Sequence, residues 1–339
     1  MPIKMVDMTL YAKCLVAGFI LVTAKPASAH HSVAPFDKES FVAKDGVISE
    51  VRWSNPHIRF TMVTEDAAGE QEEWTFEGDT VNTLERKGLT PESFAVNQGI
   101  RAGGWPSSRG LKEIFVTNVL WPDGTEVVMT PDPMPLRWTT AEAEAKAAVQ
   151  ADPSLSLFKV WSLGEFYRPK SDFVYSEAAQ ASRSQWVADR DMLALRCMAP
   201  GMPNAILNPY PVEFIEEGDR IRLRIEEWEA VRTIDMVSTG VPADAPGTPL
   251  GYSVGHWEGD DTLVVETARV DFPYLDDEGT PMSSDVQMTE RFTISEDGSR
   301  LDYEISVTDP ENLVEPATWV ASWNWIPGIE IKSFECKLE

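Results

Sequence analysis

From Phe41 onward, apolar residues recur at every second position in short runs broken by turn residues. "FVAKDGVISEVRW" alternates around Val47, Ile48, Val51 and Trp53, and "HIRFTMVTED" follows after the turn Ser54-Asn55-Pro56. "EQEEWTFEG" then places Trp74 and Phe76 two apart. This period-2 pattern predicts half-buried strands. "TVNTLERKGLT" departs from it and reads as a short helix, with Leu84 apolar and Gly88 as its stop signal. "GIRAGGWPSS" and "EIFVTNVLWPDGTEVVM" return to strand, the latter with a tight turn at Pro122-Asp123-Gly124. About five strands with one small helix between the third and fourth predict an OB-like barrel over 30–130.

A second pattern follows. The proline-rich "TPDPMPLRW" leads into "TTAEAEAKAAVQ", whose alanine and charged residues favour helix. It predicts a Pro/Ala-rich helical linker over 131–156. Alternation resumes from 157 to 339, in "YPVEFIEEGDRIRLRIEEWEAVRTIDM", "GYSVGHWEGDDTLVVETARV", "QMTERFTISEDGSRLDYEISVTDP" and "ATWVASWNWIPGIEIKSFECKL". About eight to ten antiparallel strands are expected, separated by Gly-Asp, Asp-Gly and Pro-Gly turns. A calycin- or lipocalin-like barrel closes such a meander without exposed edges. A jelly roll or sandwich is the alternative. The fold class is mainly β, with a helical connection between two barrels.

The start of the chain has a different character. Lysines flank an apolar run from 14 to 24, too short for a stable membrane anchor. Ala27-Ser28-Ala29 offers the small-x-small pattern of a signal-peptide cleavage site. Residues 1–29 therefore read as a signal, with His30 as first mature residue and a periplasmic or secreted destination. The formal charge is -26, and the first 29 residues hold three lysines and one aspartate, so the remainder is more acidic still. That balance argues against nucleic acid as a partner, and no later segment is apolar enough for a membrane span. Beyond the signal only Cys197 and Cys336 remain. In an oxidising compartment they are a pairable set, with two separate buried thiols as the alternative.

The residues "AHHSVAPFD", "GVISEVRWSNPHIRF" and "EEWTFE" resemble the secreted bacterial family DUF6152. The resemblance rests on His30-His31-Ser32 and on Gly46, Val47, Val51, Trp53, Asn55, Pro56 and His57. It implies secretion and an OB-like domain, but no activity. From Cys197 on, "CMAPGMPNAILNPYPVEF", "RTIDM", "GYSVGHWEGDDTLVVET" and "ERF" are similar to a second uncharacterised bacterial family. His256, where arginine is expected, and the extra aspartate in Gly259-Asp260-Asp261 depart from it.

Four histidines bound the candidate chemistry: His30, His31, His57 and His256. A mature N-terminus at His30 would offer an α-amine and an imidazole to one metal ion. His57 or His31 would supply a further nitrogen, a set that suits copper. An irregular, exposed start is the plain alternative. In the second barrel, Arg232, Tyr252, His256, Glu290 and Arg291 are polar residues within strand-like runs. Arg232, Tyr252 and Arg291 are candidate ligand contacts inside the barrel. His256 with Glu290 is a candidate acid–base pair, although neighbouring charges on a solvated sheet face give the same pattern. The leading expectation is a periplasmic binding protein with a copper site and a small apolar or aromatic ligand in the second barrel. The rivals are a cofactor-free lyase or isomerase, or a copper-dependent oxidase.

Overall fold

The computed structural model describes residues 35–131, 134–140, 149–208 and 210–338. The expected signal segment, His30, His31 and the alanine-rich stretch 141–148 of the expected linker lie outside the described residues.

The first barrel is built from β1 (Val42–Arg52), β2 (Arg59–Glu65), β3 (Gln71–Glu77), β4 (Gly99–Pro106) and β5 (Glu113–Leu120). Antiparallel pairing joins β1 to β2, β2 to β3, β1 to β4 and β4 to β5. A parallel pairing of β3 with β5 closes the ring. This strand order, with helix α1 (Val81–Arg86) between β3 and β4, is that of an OB barrel. β6 (Glu126–Val128) extends β5 beyond the turn at Pro122-Asp123-Gly124. Alternation does the work that the sequence pattern implies. Phe60 and Met62 of β2, Phe76 of β3 and Ile48 of β1 point inward and are fully buried. Phe60 and Phe76 are directly paired, and their rings stack 5.0 Å apart. Thr80 caps α1 by accepting from the Thr83 backbone N–H, and Gly88 at φ 78° ends the turn. Closure also needs a close approach at Gly104, where a Cβ would lie 1.9 Å from the Phe115 carbonyl oxygen.

The second barrel has nine strands. They are β7 (Val160–Pro169), β8 (Val212–Glu217), β9 (Arg220–Ile225), β10 (Ala230–Asp235), β11 (Tyr252–Glu258) and β12 (Thr262–Ala268). β13 (Gln287–Ile294), β14 (Arg300–Thr308) and β15 (Ala317–Asn324) complete it, and β15 pairs with β7 to close the ring. Neighbours run antiparallel except β10 and β11, which are parallel. The long connection 236–251 returns the chain in its original direction there, which a tight hairpin cannot do. Helix α2 (Glu177–Gln185) and shorter turns fill the excursion between β7 and β8. Among the described residues no helix is long and apolar enough to cross a membrane.

The barrel interior is packed rather than hollow. Phe214, Leu223, Phe292, Tyr303, Ile305 and Trp323 are all buried in one core.

Cys197 and Cys336 form a disulfide. Cys336 lies beyond β15, the last strand of the barrel, in a C-terminal tail that crosses to the first barrel. There Asn55 bridges Cys336, and Arg52 donates to the Lys337 carbonyl at 2.6 Å. A buried hub joins the barrels nearby. Glu226, which precedes β10, receives Asn82 Nδ2 at 3.0 Å, the Lys332 backbone N–H at 2.8 Å and both Nη atoms of Arg86. The two barrels therefore present one continuous seam, and the site described next lies on it.

Candidate functional site

The turn Ser54-Asn55-Pro56 sets His57 just ahead of β2. Register then decides its partner. Arg59 pairs with Glu77 across the β2–β3 hairpin, so the end of β3 lies beside His57. Glu77 Oε1 is 2.7 Å from His57 Nδ1, and Arg59 Nη2 donates to Glu77 Oε2 at 3.0 Å. Burial opposes protonation of His57, but the Glu77 hydrogen bond and charge outweigh it and hold its pKa above the ordinary value. Burial pushes the Glu77 carboxyl up, yet His57 and Arg59 together hold it below its usual range. Asp79 is raised by burial. With Nδ1 engaged, Nε2 is the ring nitrogen left for other contacts.

His57 lines two adjoining cavities, which also share Pro56, Met192 and Leu195. The first, about 330 Å³, lies between the barrels. From the first barrel come Trp105 and Phe115, stacked 5.5 Å apart. From the second come Tyr167, Trp186, Tyr210, Trp228, Phe272 and Tyr274. The indole nitrogens of Trp186 and Trp228 are buried without a hydrogen-bond partner among the described residues. Asp79, Glu227, Asp276 and Asp277 also line the space. Asn208 donates to Glu227, Asn204 donates to Asp277 at 2.9 Å, and Arg183 pairs with Asp276 at 2.7 Å. The second cavity, about 580 Å³, is lined by Pro35, Phe36, Arg52, Arg59 and Arg109 besides His57.

The other sequence-derived candidates are placed differently. His256 is exposed on the outer face of β11, 3.8 Å from Glu258. Glu290 is fully buried inside the barrel. Register explains the separation: Gly255 pairs with Val265, which pairs with Glu290, so these share the inner face. His256 is one residue off that line and points the other way. The expected His256–Glu290 acid–base pair is therefore not formed. Arg291 also points outward and binds Glu258 at 2.7 Å. Tyr252 donates to Asp235 at 3.0 Å and lies on the same outward line as His256. Arg232 does point inward, but its guanidinium is spent on Glu290, Thr267 and Ser253. Tyr303 donates to Glu290 at 3.0 Å and completes that network. The core of the second barrel thus holds a satisfied ion pair where a ligand pocket was expected.

Among the described residues, no group of three His, Cys, Asp or Glu side chains is arranged to hold a metal ion. His57 is the one copper candidate inside the described region, and His30 and His31 lie outside it.

Sequence reasoning named His57 but missed Glu77 and the aromatic walls. The hairpin between β2 and β3 carried the signal for Glu77, because a short turn fixes which residues face each other. The comparison with curated proteins finds no match. The stretch from 17 to 113, which carries His57, Glu77 and most of the first barrel, matches DUF6152, a family of unknown function.

Proposed function

We propose that this chain is a binding protein, active outside the cytoplasm, which holds a small aromatic or apolar molecule between its two barrels. The observation that carries this reading is the cavity of about 330 Å³ with aromatic walls from both domains. Ligand pockets have this size and make-up: mostly apolar and aromatic, with a few fixed polar groups. The buried indole N–H groups of Trp186 and Trp228, without a partner among the described residues, add donors that a ligand acceptor would satisfy. The Cys197–Cys336 disulfide fits an oxidising compartment. Mass spectrometry of an organic extract of protein exported by its host tests the reading. A molecule retained by the wild type and lost in Trp228→Ala is expected. An empty extract, with no change in tryptophan fluorescence across a panel of aromatic compounds, would overturn it.

One observation favours a second reading, copper at His57. Pro35 and His57 line the same cavity. His30 is five residues upstream, so an extended chain would reach up to about 17 Å from Pro35. With Nδ1 held by Glu77, that imidazole has the carboxylate-oriented form common among metal-bound histidines. Elemental analysis of exported protein beginning at His30 decides it. Near-stoichiometric copper that disappears in His57→Ala supports the reading, and none above background refutes it.

A further inference from the structure

The rings that wall the cavity between the barrels present electron-rich faces, and the charged groups among them are mostly carboxylates. Trp186, Tyr210, Trp228 and Tyr274 supply walls, while Glu227 and Asp277 supply carboxylates. Lys38 and His57 are the basic residues of the lining. Lys38 already places its ammonium 5.5 Å from the centroid of the Trp105 ring. One wall therefore accepts a cation over its face within the protein itself.

Tyr167 reports the field inside. Its ionisation is pushed far up, by burial first and then by Asp277, Glu278, Asp276 and Glu227. Burial opposes any charge in this space, but the carboxylate share of the shift opposes a new negative charge and favours a positive one. The chain as a whole, at -26, also draws cations toward the cleft.

We propose that the cavity takes an organic cation: an ammonium group carried on an aromatic or apolar body. This inference rests on the binding reading above and adds the sign of the ligand's charge. Aromatic faces with nearby carboxylates are how proteins hold quaternary ammonium groups, because the rings attract the charge without demanding hydrogen bonds.

Calorimetric titration of the full mature chain tests it with two probes of similar size and the same ring. Benzyltrimethylammonium carries a charge, and N-benzylacetamide does not. The cation is expected to bind about tenfold more tightly. The substitution Asp277→Asn keeps an acceptor for Asn204, and is expected to shrink that preference while thermal melting confirms the fold. Equal affinity, a preference for the neutral probe, or an unchanged preference in Asp277→Asn would overturn the inference. If neither probe binds but the extract of exported protein holds a neutral molecule, the charge is wrong and the cavity reading survives. If neither binds and the extract is empty, both fall.

Discussion

Arg86, in the helix of the first barrel, grips the carboxylate of Glu226, a fully buried residue of the second. Asn82 Nδ2 and the Lys332 backbone N–H complete the shell around that carboxylate. The contact fixes the seam on which the aromatic cavity depends. Removing one partner of such a pair strands a buried charge, and that costs more than the pair contributes. Arg86→Ala is therefore expected to lower stability by about 3 kcal/mol. Arg86→Lys should recover only part, since a compact ammonium does not match the carboxylate as the planar guanidinium fork does. Urea denaturation measures both variants, and a loss under about 0.5 kcal/mol for Arg86→Ala would show that the seam does not rely on this pair.

The buried pair in the second barrel makes a sharper contrast. Glu290 receives Arg232 and Tyr303 inside the core, whereas His256 stands on the outer face. Glu290→Ala should cost about 3–5 kcal/mol, because Arg232, buried in the core, loses its counter-charge. His256→Ala should change stability by less than about 0.5 kcal/mol. Parallel thermal and urea melts check the pair of values. If both substitutions were equally harmless, the barrel interior would not be the packed core described.

Much of the fold was legible in the sequence because strand patterning is local. Phe60, Met62 and Phe76 face inward as their spacing implies, and Gly88 ends the small helix as its chemistry implies. What resisted was everything set by long-range pairing. His256 and Glu290 both lie in alternating strands, and one residue of register separates sharing a face from opposing it. The cavity was hidden for a related reason. Trp105, Tyr167, Trp228 and Tyr274 lie far apart in the chain, and each alone reads as core. Only docking of the two barrels makes them neighbours. The parallel pairing of β10 with β11 likewise depends on where the long connection travels, which residue pattern does not encode.

The disulfide offers a separate handle on that docking. Cys197 and Cys336 are 139 residues apart, and the tail carrying Cys336 runs against Arg52 and Asn55 of the first barrel. Closing so long a loop restricts the unfolded chain strongly, so Cys197→Ser with Cys336→Ser should cost about 2–5 kcal/mol. Denaturation of the wild type with and without a reductant should reproduce the difference. Equal midpoints under both conditions would mean that the bridge contributes nothing to the fold.

Acid should loosen one defined contact at the entrance to the second barrel. Asp152 Oδ2 binds Lys159 Nζ at 2.7 Å, and Lys159 also donates to the Gly298 carbonyl at 3.1 Å. The backbone closes the same corner, since the Asp152 N–H donates to the Asp297 carbonyl at 2.8 Å. Gly298, at φ 68°, sits where a Cβ would fall 2.1 Å from the Asp152 carbonyl oxygen. Lys159 first, and the Ser154 backbone N–H next, hold the Asp152 carboxyl below its ordinary 3.8, at about 2. The folded state thus binds this proton less readily than the unfolded state does. Its contribution is complete above the ordinary value and is lost as pH falls toward about 2. The melting temperature of Asp152→Asn should lie below that of the wild type by a constant amount from pH 5 to 7. The gap should narrow between pH 4 and 2. A gap that stayed constant down to pH 2 would mean that the Asp152 charge does not stabilise this corner.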